Sequence, residues 1–187
     1  MALRTPQVYS AAGKSIASAP VRLEIPSSLT SAALAFGSLL KPGTGGYQAA
    51  ASGDDTVSHI LINLYNVHNQ QRNQVYADAP ALAAANFYAE AYPLLSQQLE
   101  LKMGEDGDGG NIADWTATPY VDIVVSAPSL ISGDDNPTGG AQATVQIDSS
   151  SANSSASGKC FQIIAADPST DTALVGSKPK NYIVVKI

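Results

Sequence analysis

The sequence predicts a mainly β protein, built as an antiparallel sandwich or barrel, on two observations. Val21–Ile25 alternates apolar and polar residues with the period of a half-buried strand. In the second half of the chain, short runs rich in Val and Ile are separated by clusters of Gly, Pro, Asp and Ser, a spacing typical of all-β folds. The strands predicted from these runs span residues 120–125, 141–147, 160–165 and 182–187.

Length and composition indicate one domain with a thin core. The chain has 187 residues, of which 14% are charged, well below the usual ~25%. Ala, Ser and Gly are abundant, with 29, 21 and 15 residues. We therefore expect an extended N-terminal arm over the Ala- and Ser-rich residues 1–20, followed by a single mainly β domain over residues 21–187.

One or two short helices are also predicted. Thr30 can cap an apolar helix over residues 31–40, because Pro42 and Gly43 follow its end. Residues 82–92 contain good helix formers behind Asp78 and Pro80, which predicts a helical insertion in the region 78–102. Within that region, residues 95–102 alternate and could instead form a strand.

Two further segments are less regular. Residues 54–67 fit both a strand and one face of a helix, and the alternation of Ile60, Ile62 and Leu64 favours the strand. The serine-rich residues 148–158 are low in complexity, which predicts a loop without a core of its own. No internal repeat is visible in the sequence.

Charge and cysteine content exclude several classes of function. The net charge is −6 and no basic run exists, which argues against binding to nucleic acid. The single Cys160 cannot form an intramolecular disulfide and is interpreted as a small buried residue. No apolar run reaches the ~20 residues of a membrane span, and the first residues do not resemble a signal peptide. We expect a protein synthesised in a cytoplasm, without membrane contact.

No constellation of residues predicts a catalytic, cofactor or metal site. His59 and His68 lie nine positions apart, and no motif places a serine or an acid beside either of them. The most metal-like segment is an acidic loop that departs from the calcium-binding pattern, because Gly110 stands where an oxygen ligand is expected. Two Asp-Asp pairs are interpreted as turn formers. The possible oxygen ligands of the loop are Glu105, Asp106, Asp108, Asn111 and Asp114, and the pairs are Asp54-Asp55 and Asp134-Asp135.

Tyrosines are the candidate contact residues. They are amphipathic, so they suit the rim of a core and also the surface that meets a partner. Tyr88 and Tyr92 would share one face of the predicted helix. The tyrosines of the central region are Tyr65, Tyr76, Tyr88 and Tyr92.

The C-terminal third carries a resemblance. Its strands are followed by Phe161-Gln162-Ile163-Ile164-Ala165-Ala166-Asp167-Pro168 and by a final Gly176-Ser177-Lys178-Pro179-Lys180-Asn181-Tyr182-Ile183-Val184-Val185-Lys186-Ile187. This order resembles the end of tailed-bacteriophage capsid cement (decoration) proteins. The resemblance implies a jelly-roll-like sandwich that binds the outside of a capsid, as dimers or trimers, and bridges neighbouring major capsid subunits.

We therefore expect a structural protein of a phage particle, without enzymatic activity or cofactor. Its expected partners are the major capsid protein and other copies of itself, and its expected location is the capsid surface. Two alternatives stay open. One is a structural component of the phage tail or neck. The other is a carbohydrate-binding β-sandwich module, in one form dependent on calcium through Glu105, Asp106 and Asp108.

Overall fold

The computed structural model of the chain describes eleven strands and, in the described residues, no helix. The described residues are 3–9, 19–25, 34–65, 87–94, 99–107, 112, 114–130, 141–167 and 180–187. The strands are β1 (Gln7–Val8), β2 (Val21–Ile25), β3 (Leu39–Gly43), β4 (Gly46–Ala49), β5 (His59–Tyr65), β6 (Phe87–Pro93), β7 (Glu100–Gly104), β8 (Tyr120–Leu130), β9 (Ala141–Asn153), β10 (Phe161–Ala166) and β11 (Asn181–Lys186).

These strands form two antiparallel sheets, which confirms the mainly β prediction. One sheet has five strands in the order β2-β6-β5-β3-β4, and the other has six in the order β1-β7-β11-β10-β8-β9. Some neighbouring strands are connected by tight turns that contain glycine. Between β3 and β4, for example, Gly45 has a φ of 83°, a conformation that favours glycine.

The two sheets repeat one topology. We define the N-terminal unit as β2–β6 and the C-terminal unit as β7–β11. In each unit the first strand pairs with the fifth, the fifth with the fourth, the fourth with the second and the second with the third. The six-stranded sheet differs only in having β1 added beside β7. The chain is therefore a tandem structural repeat, although the sequence shows none.

The strand registers repeat as well. In the N-terminal unit His59 lies opposite Leu40, and in the C-terminal unit Phe161 lies opposite Val121. The fourth strand of each unit carries an irregularity at the same position, because the pairing skips Ile62 in β5 and Ile164 in β10. A β-bulge at a matched position bends both sheets in the same way.

The matching registers bring equivalent positions into equivalent cores. Through the pairings of first, fourth and fifth strands, Leu23 corresponds to Met103, Leu61 to Ile163 and Ala91 to Val184. The first member of each pair lies in a buried cluster of the N-terminal unit, and the second lies in a buried cluster of the C-terminal unit. Each unit thus encloses apolar side chains of its own.

Both sheets curl until their first and third strands approach. In the N-terminal unit, Cα atoms of β2 and β4 come within 8 Å of each other. In the C-terminal unit, Glu105 just after β7 forms a parallel bridge with Ile147 of β9. This curvature lets each sheet cover part of its own apolar face, which helps a sequence with few large apolar residues to build a core.

The helix predicted over residues 82–92 is wrong in its described part, because residues 87–93 form β6. The helix predicted over residues 31–40 is wrong at its end, because Leu39 and Leu40 begin β3. In β6 the alanines that favour a helix are the small side chains of a central strand, since Ala89 and Ala91 are fully buried. Hydrogen bonding to two neighbouring strands outweighs a helix propensity of a few tenths of a kcal/mol per residue. Residues 81–86 lie outside the described residues.

Most of the predicted strands are present in the structure. Val21–Ile25 is a strand with the predicted bounds, and β5 confirms the strand preferred for residues 54–67. The four strands of the second half are present, and β7 takes up the end of the alternating residues 95–102. The serine-rich segment differs from prediction, because β9 extends through Asn153 before the chain turns.

The described part of the N-terminal arm, residues 3–9, is extended and binds the C-terminal unit of its own chain. Gln7 and Val8 pair with Lys102 and Leu101, and the Tyr9 amide donates to the Glu100 carbonyl (2.9 Å). Farther along, Leu3 crosses Gly104 so closely that an added Cβ would lie 2.1 Å from the Leu3 carbonyl oxygen. Residues 10–18 lie outside the described residues.

None of the described segments contains a helix long and apolar enough to cross a membrane.

Candidate functional site

Glu105, the first residue of the predicted acidic loop, is fully buried and bonded to backbone. Its Oε1 accepts from the Ile112 amide (2.6 Å) and its Oε2 from the Lys180 amide (3.0 Å). Burial raises the pKa of this carboxyl above its ordinary value, although the two amide bonds oppose the shift. Glu105 therefore ties the end of β7 to the loop residue Ile112 and to the start of β11.

The other described carboxylates of the loop also serve the fold. Asp106 Oδ1 accepts from the amide and the hydroxyl of Ser149 (3.1 and 2.8 Å), which fixes the loop to β9. Asp114 Oδ1 accepts from the Thr116 hydroxyl and from the Thr116 and Ala117 amides, and these bonds lower the pKa of Asp114.

These carboxylates do not converge on a metal. No group of three His, Cys, Asp or Glu side chains that could hold an ion occurs among the described residues. Asp108 and Asn111 lie outside the described residues. The contacts of Glu105 and Asp106 thus give no support to the calcium-dependent form of a carbohydrate-binding module.

His59 lies at the start of β5, half-buried against an aromatic ring. Its imidazole meets Tyr47 edge to face at 5.0 Å between ring centroids, and its Nδ1 lies 2.9 Å from the Ser58 hydroxyl. Burial lowers the pKa of His59, so the neutral ring is favoured. This is a packed, neutral histidine at one end of the N-terminal core. His68 lies outside the described residues.

The contacts of Asp54 and Cys160 give both residues structural roles. Asp54 forms an ion pair with Lys41 (2.8 Å) and accepts from the Ala51 amide, as expected for a turn former. Asp134 and Asp135 lie outside the described residues. Cys160 is buried just before β10, where burial raises its pKa to about 12. That thiol stays protonated at neutral pH, which agrees with its interpretation as a core residue.

Tyr65 and Tyr88 belong to a polar and aromatic surface of the N-terminal unit. On the outer face of β2, β6 and β5, Glu90 accepts from Asn63 Nδ2 (2.6 Å) and from the Tyr65 hydroxyl (3.1 Å). The Arg22 guanidinium lies over the Tyr88 ring, 4.2 Å from its centroid. Burial and the bond to Glu90 raise the pKa of Tyr65. We call these five residues the outer face.

The outer face is positioned by register. Arg22 pairs with Glu90 across β2 and β6, Glu90 with Asn63 across β6 and β5, and Tyr88 with Tyr65. The adjacent Tyr92 packs instead against the buried cluster of the C-terminal unit. Sequence reasoning named Tyr65 and Tyr88 but missed Arg22, Asn63 and Glu90, because only strand pairing brings these residues together. Tyr76 lies outside the described residues.

No protein-family model matches the chain, and neither a curated protein nor a solved structure matches it. Functional conclusions therefore rest on the geometry of the chain itself.

Proposed function

We propose that this chain is a virion structural protein, a capsid cement (decoration) protein of a tailed phage. It binds the outside of the assembled head and bridges neighbouring major capsid subunits, without enzymatic activity. A protein that binds only the assembled shell stabilises it by mass action, so many modest contacts resist disruption without any chemistry.

The observation that carries this proposal is how the chain uses its buried and half-buried charges. Glu105 and Asp106 bond to the backbone of neighbouring segments. Asp122 and Asp167 form ion pairs with Lys159 (2.8 Å) and Lys102 (2.7 Å). Each of these contacts joins a carboxylate to a neighbouring segment of the fold, so these groups stabilise a scaffold. A rigid scaffold of this kind suits a protein that acts by binding.

The shape of the body agrees with the proposal. We propose that the two sheets pack as a sandwich, because Leu39, Ile60 and Leu94 of the N-terminal unit lie in the same buried cluster as residues from every strand of the C-terminal unit. The jelly-roll-like form has less support, since each sheet is assembled from consecutive strands of one half of the chain.

The outer face is the surface we assign to the capsid. It presents two tyrosines, an arginine and a carboxylate within a hydrogen-bonded and cation–π arrangement. Tyrosine and arginine are enriched where proteins bind proteins, because they combine large contact area with polar ends. Because the bonds to Glu90 and the contact of Arg22 with Tyr88 already order these side chains, little conformational freedom is lost on binding.

Reconstitution on capsid shells tests the proposal. Purified protein is added to expanded shells of the candidate phage, and co-sedimentation and the temperature of shell disruption are measured. We expect saturable binding and a disruption temperature that rises with the amount bound. Arg22→Ala should weaken binding several-fold, whereas Lys41→Ala, a matched cation of the same unit, should not. Failure of the unchanged chain to bind, or equal effects of the two variants, would contradict the assignment.

A further inference from the structure

Residues 3–9 occupy a groove at the boundary between the two units. On the side of the C-terminal unit, the Val145 amide donates to the Arg4 carbonyl (2.8 Å), and the Leu3 amide donates to Oδ1 of Asn181 (2.7 Å). Asn181 is buried, so its side-chain oxygen is directed at the segment and not at solvent. The body of the protein therefore holds the segment by specific polar contacts.

Two glycines, one from each unit, give the segment its space. A Cβ added at Gly104 would clash with the backbone of Leu3, and one added at Gly37 would clash with the side chain of Thr5, which is buried. Gly37 belongs to the N-terminal unit, because it precedes β3 and its amide donates to the Leu61 carbonyl (3.0 Å). The segment thus contacts both units. The groove is lined by Gly37, Gly104, Val145 and Asn181.

The remaining contacts of the segment are those of an added strand. Gln7 and Val8 pair with Lys102 and Leu101 of β7. Val8 also packs against the buried cluster of the C-terminal unit. Backbone hydrogen bonds combined with an apolar side chain over a core are the usual means by which a sheet binds an extended peptide. The groove and the β7 edge together form a strand-binding site, which the start of the same chain fills.

The connection between the segment and β2 is long for the distance that it covers. Tyr9 is bonded to the first residue of β7, and Val21 is paired near the end of β6. Those two strand ends are neighbours, because the Leu99 amide donates to the Leu94 carbonyl (3.0 Å). Eleven residues, 10–20, separate Tyr9 from Val21, and a chain of that length spans about 40 Å when fully extended. The connection is long enough to carry the segment to a neighbouring molecule.

We propose that the groove binds residues 3–9 of a second copy of this chain, and that two copies exchange this segment reciprocally. Exchange needs no vacant site, because each groove loses one segment and gains an identical one. All the contacts of the segment with the groove and with β7 are made again, and only the chain that supplies the segment changes. Both segments and both grooves are used, so the exchanged pair is a closed dimer.

Protein concentration decides between the two arrangements. A segment on a short tether competes for its own groove at an effective concentration in the millimolar range. Copies held side by side at a comparable local concentration, as on the surface of a shell, therefore exchange segments, whereas dilute copies keep their own. The exchange itself does not depend on a capsid, so a negative result in solution would leave the proposed function standing.

Cross-linking between two single-cysteine variants of the full chain tests the proposal. One variant carries Gln7→Cys and the other Lys102→Cys, at paired positions whose separation a disulfide can span. The two variants, one of them isotope-labelled, are unfolded together in urea, refolded at increasing protein concentration and oxidised mildly. We expect disulfides between unlike chains, in a fraction that rises with concentration and is measured by mass spectrometry of the intact protein. The native Cys160 is buried and does not compete.

Two controls separate binding in the groove from random collision. In the first, Lys41→Cys replaces Lys102→Cys, because the two lysine side chains are equally exposed (21%) but Lys41 lies in the N-terminal unit. In the second, Gly104→Ala is added to the Lys102→Cys variant, which narrows the groove beside Leu3. We expect the original pair to give several-fold more mixed disulfides than either control. Equal yields in either comparison would overturn the proposal.

A second cysteine pair makes the test independent of Lys102, which also pairs with Asp167. Tyr9→Cys in one variant and Glu100→Cys in the other join positions that continue the same register, since the Tyr9 amide donates to the Glu100 carbonyl. The same excess of mixed disulfides is expected. A yield no higher than that of Tyr9→Cys with Lys41→Cys would contradict the exchange.

Discussion

Glu105 shows how a single residue can look functional in sequence and prove structural. Its acidic, glycine-rich surroundings suggested oxygen ligands for a cation, but the side chain is buried and accepts two amide N–H groups. Sequence alone could not show this, because Lys180 is distant in sequence and becomes a neighbour only through the pairing of β7 with β11. Within this loop, the role of Asp114 could be interpreted from the sequence, because its bonding partners Thr116 and Ala117 are local.

Replacing Glu105 tests this role. Glu105→Gln should destabilise the fold by about 1–3 kcal/mol, because an amide can satisfy only one of the two buried N–H donors. Unfolding in urea at neutral pH measures the loss.

The raised pKa of Glu105 predicts the direction in which stability changes with pH. Because the pKa of Glu105 is raised in the fold, the stability linked to its protonation is fully present below the unfolded-state value of 4.5. It is lost as the pH rises through the folded-state pKa. The difference in unfolding free energy between wild type and Glu105→Gln should therefore shrink as the pH rises from 4.5. A difference that grows with pH would contradict the raised pKa.

At the scale of elements, ion pairs of different burial connect the strands. Asp167, at the end of β10, is nearly buried, with a side chain 4% exposed, and pairs with Lys102 of β7. The pair of Lys41 and Asp54 is more open, with side chains 21% and 20% exposed. A buried carboxylate that loses its partner is costly, whereas an exposed pair contributes little.

This contrast predicts unequal effects of two matched substitutions. Lys102→Met should cost about 2–3 kcal/mol, less than a fully buried pair because water reaches the lysine. Lys41→Met should cost about 0–1 kcal/mol. Urea unfolding of both variants measures the difference, and adding Asp167→Asn to Lys102→Met should recover much of the loss. Equal costs for the two lysines would show that the burial of Asp167 is not decisive.

Alternation was the reliable sequence signal for elements. It located β2, whose burial alternates, and also β5, although the bulge at Ile62 interrupts the alternation there and Leu61 is buried in place of Ile62. Composition misled for β6, because alanine favours a helix in isolation but Ala89 and Ala91 are here buried in a central strand. The N-terminal arm was predicted to be extended, and residues 3–9 are, but their close fit to Gly104 depends on a backbone approach that no local pattern encodes.

At the scale of the whole molecule, the tandem repeat was beyond sequence reasoning. Equivalent core positions share apolar character and not identity, as in Leu23 and Met103 or Ala89 and Tyr182. What the units share is strand order, register and the place of a bulge, and these emerge only from pairing. Residues 3–9 then attach the start of the chain to the C-terminal unit.

This arrangement suits a protein that must stay folded while it binds along a shell. β1 fastens the start of the chain to the C-terminal unit, which also contains the last strand. The outer face of the N-terminal unit then provides the surface that we assign to the capsid.

The copy number and position of this chain in purified phage particles test the account most directly. Quantitative mass spectrometry of the particles, combined with localisation on the head by electron microscopy, measures both. We expect a copy number comparable with that of the major capsid protein and density on the outer surface of the head. A copy number matching a single ring, located at the tail or neck, or absence of the chain from the particle would contradict it.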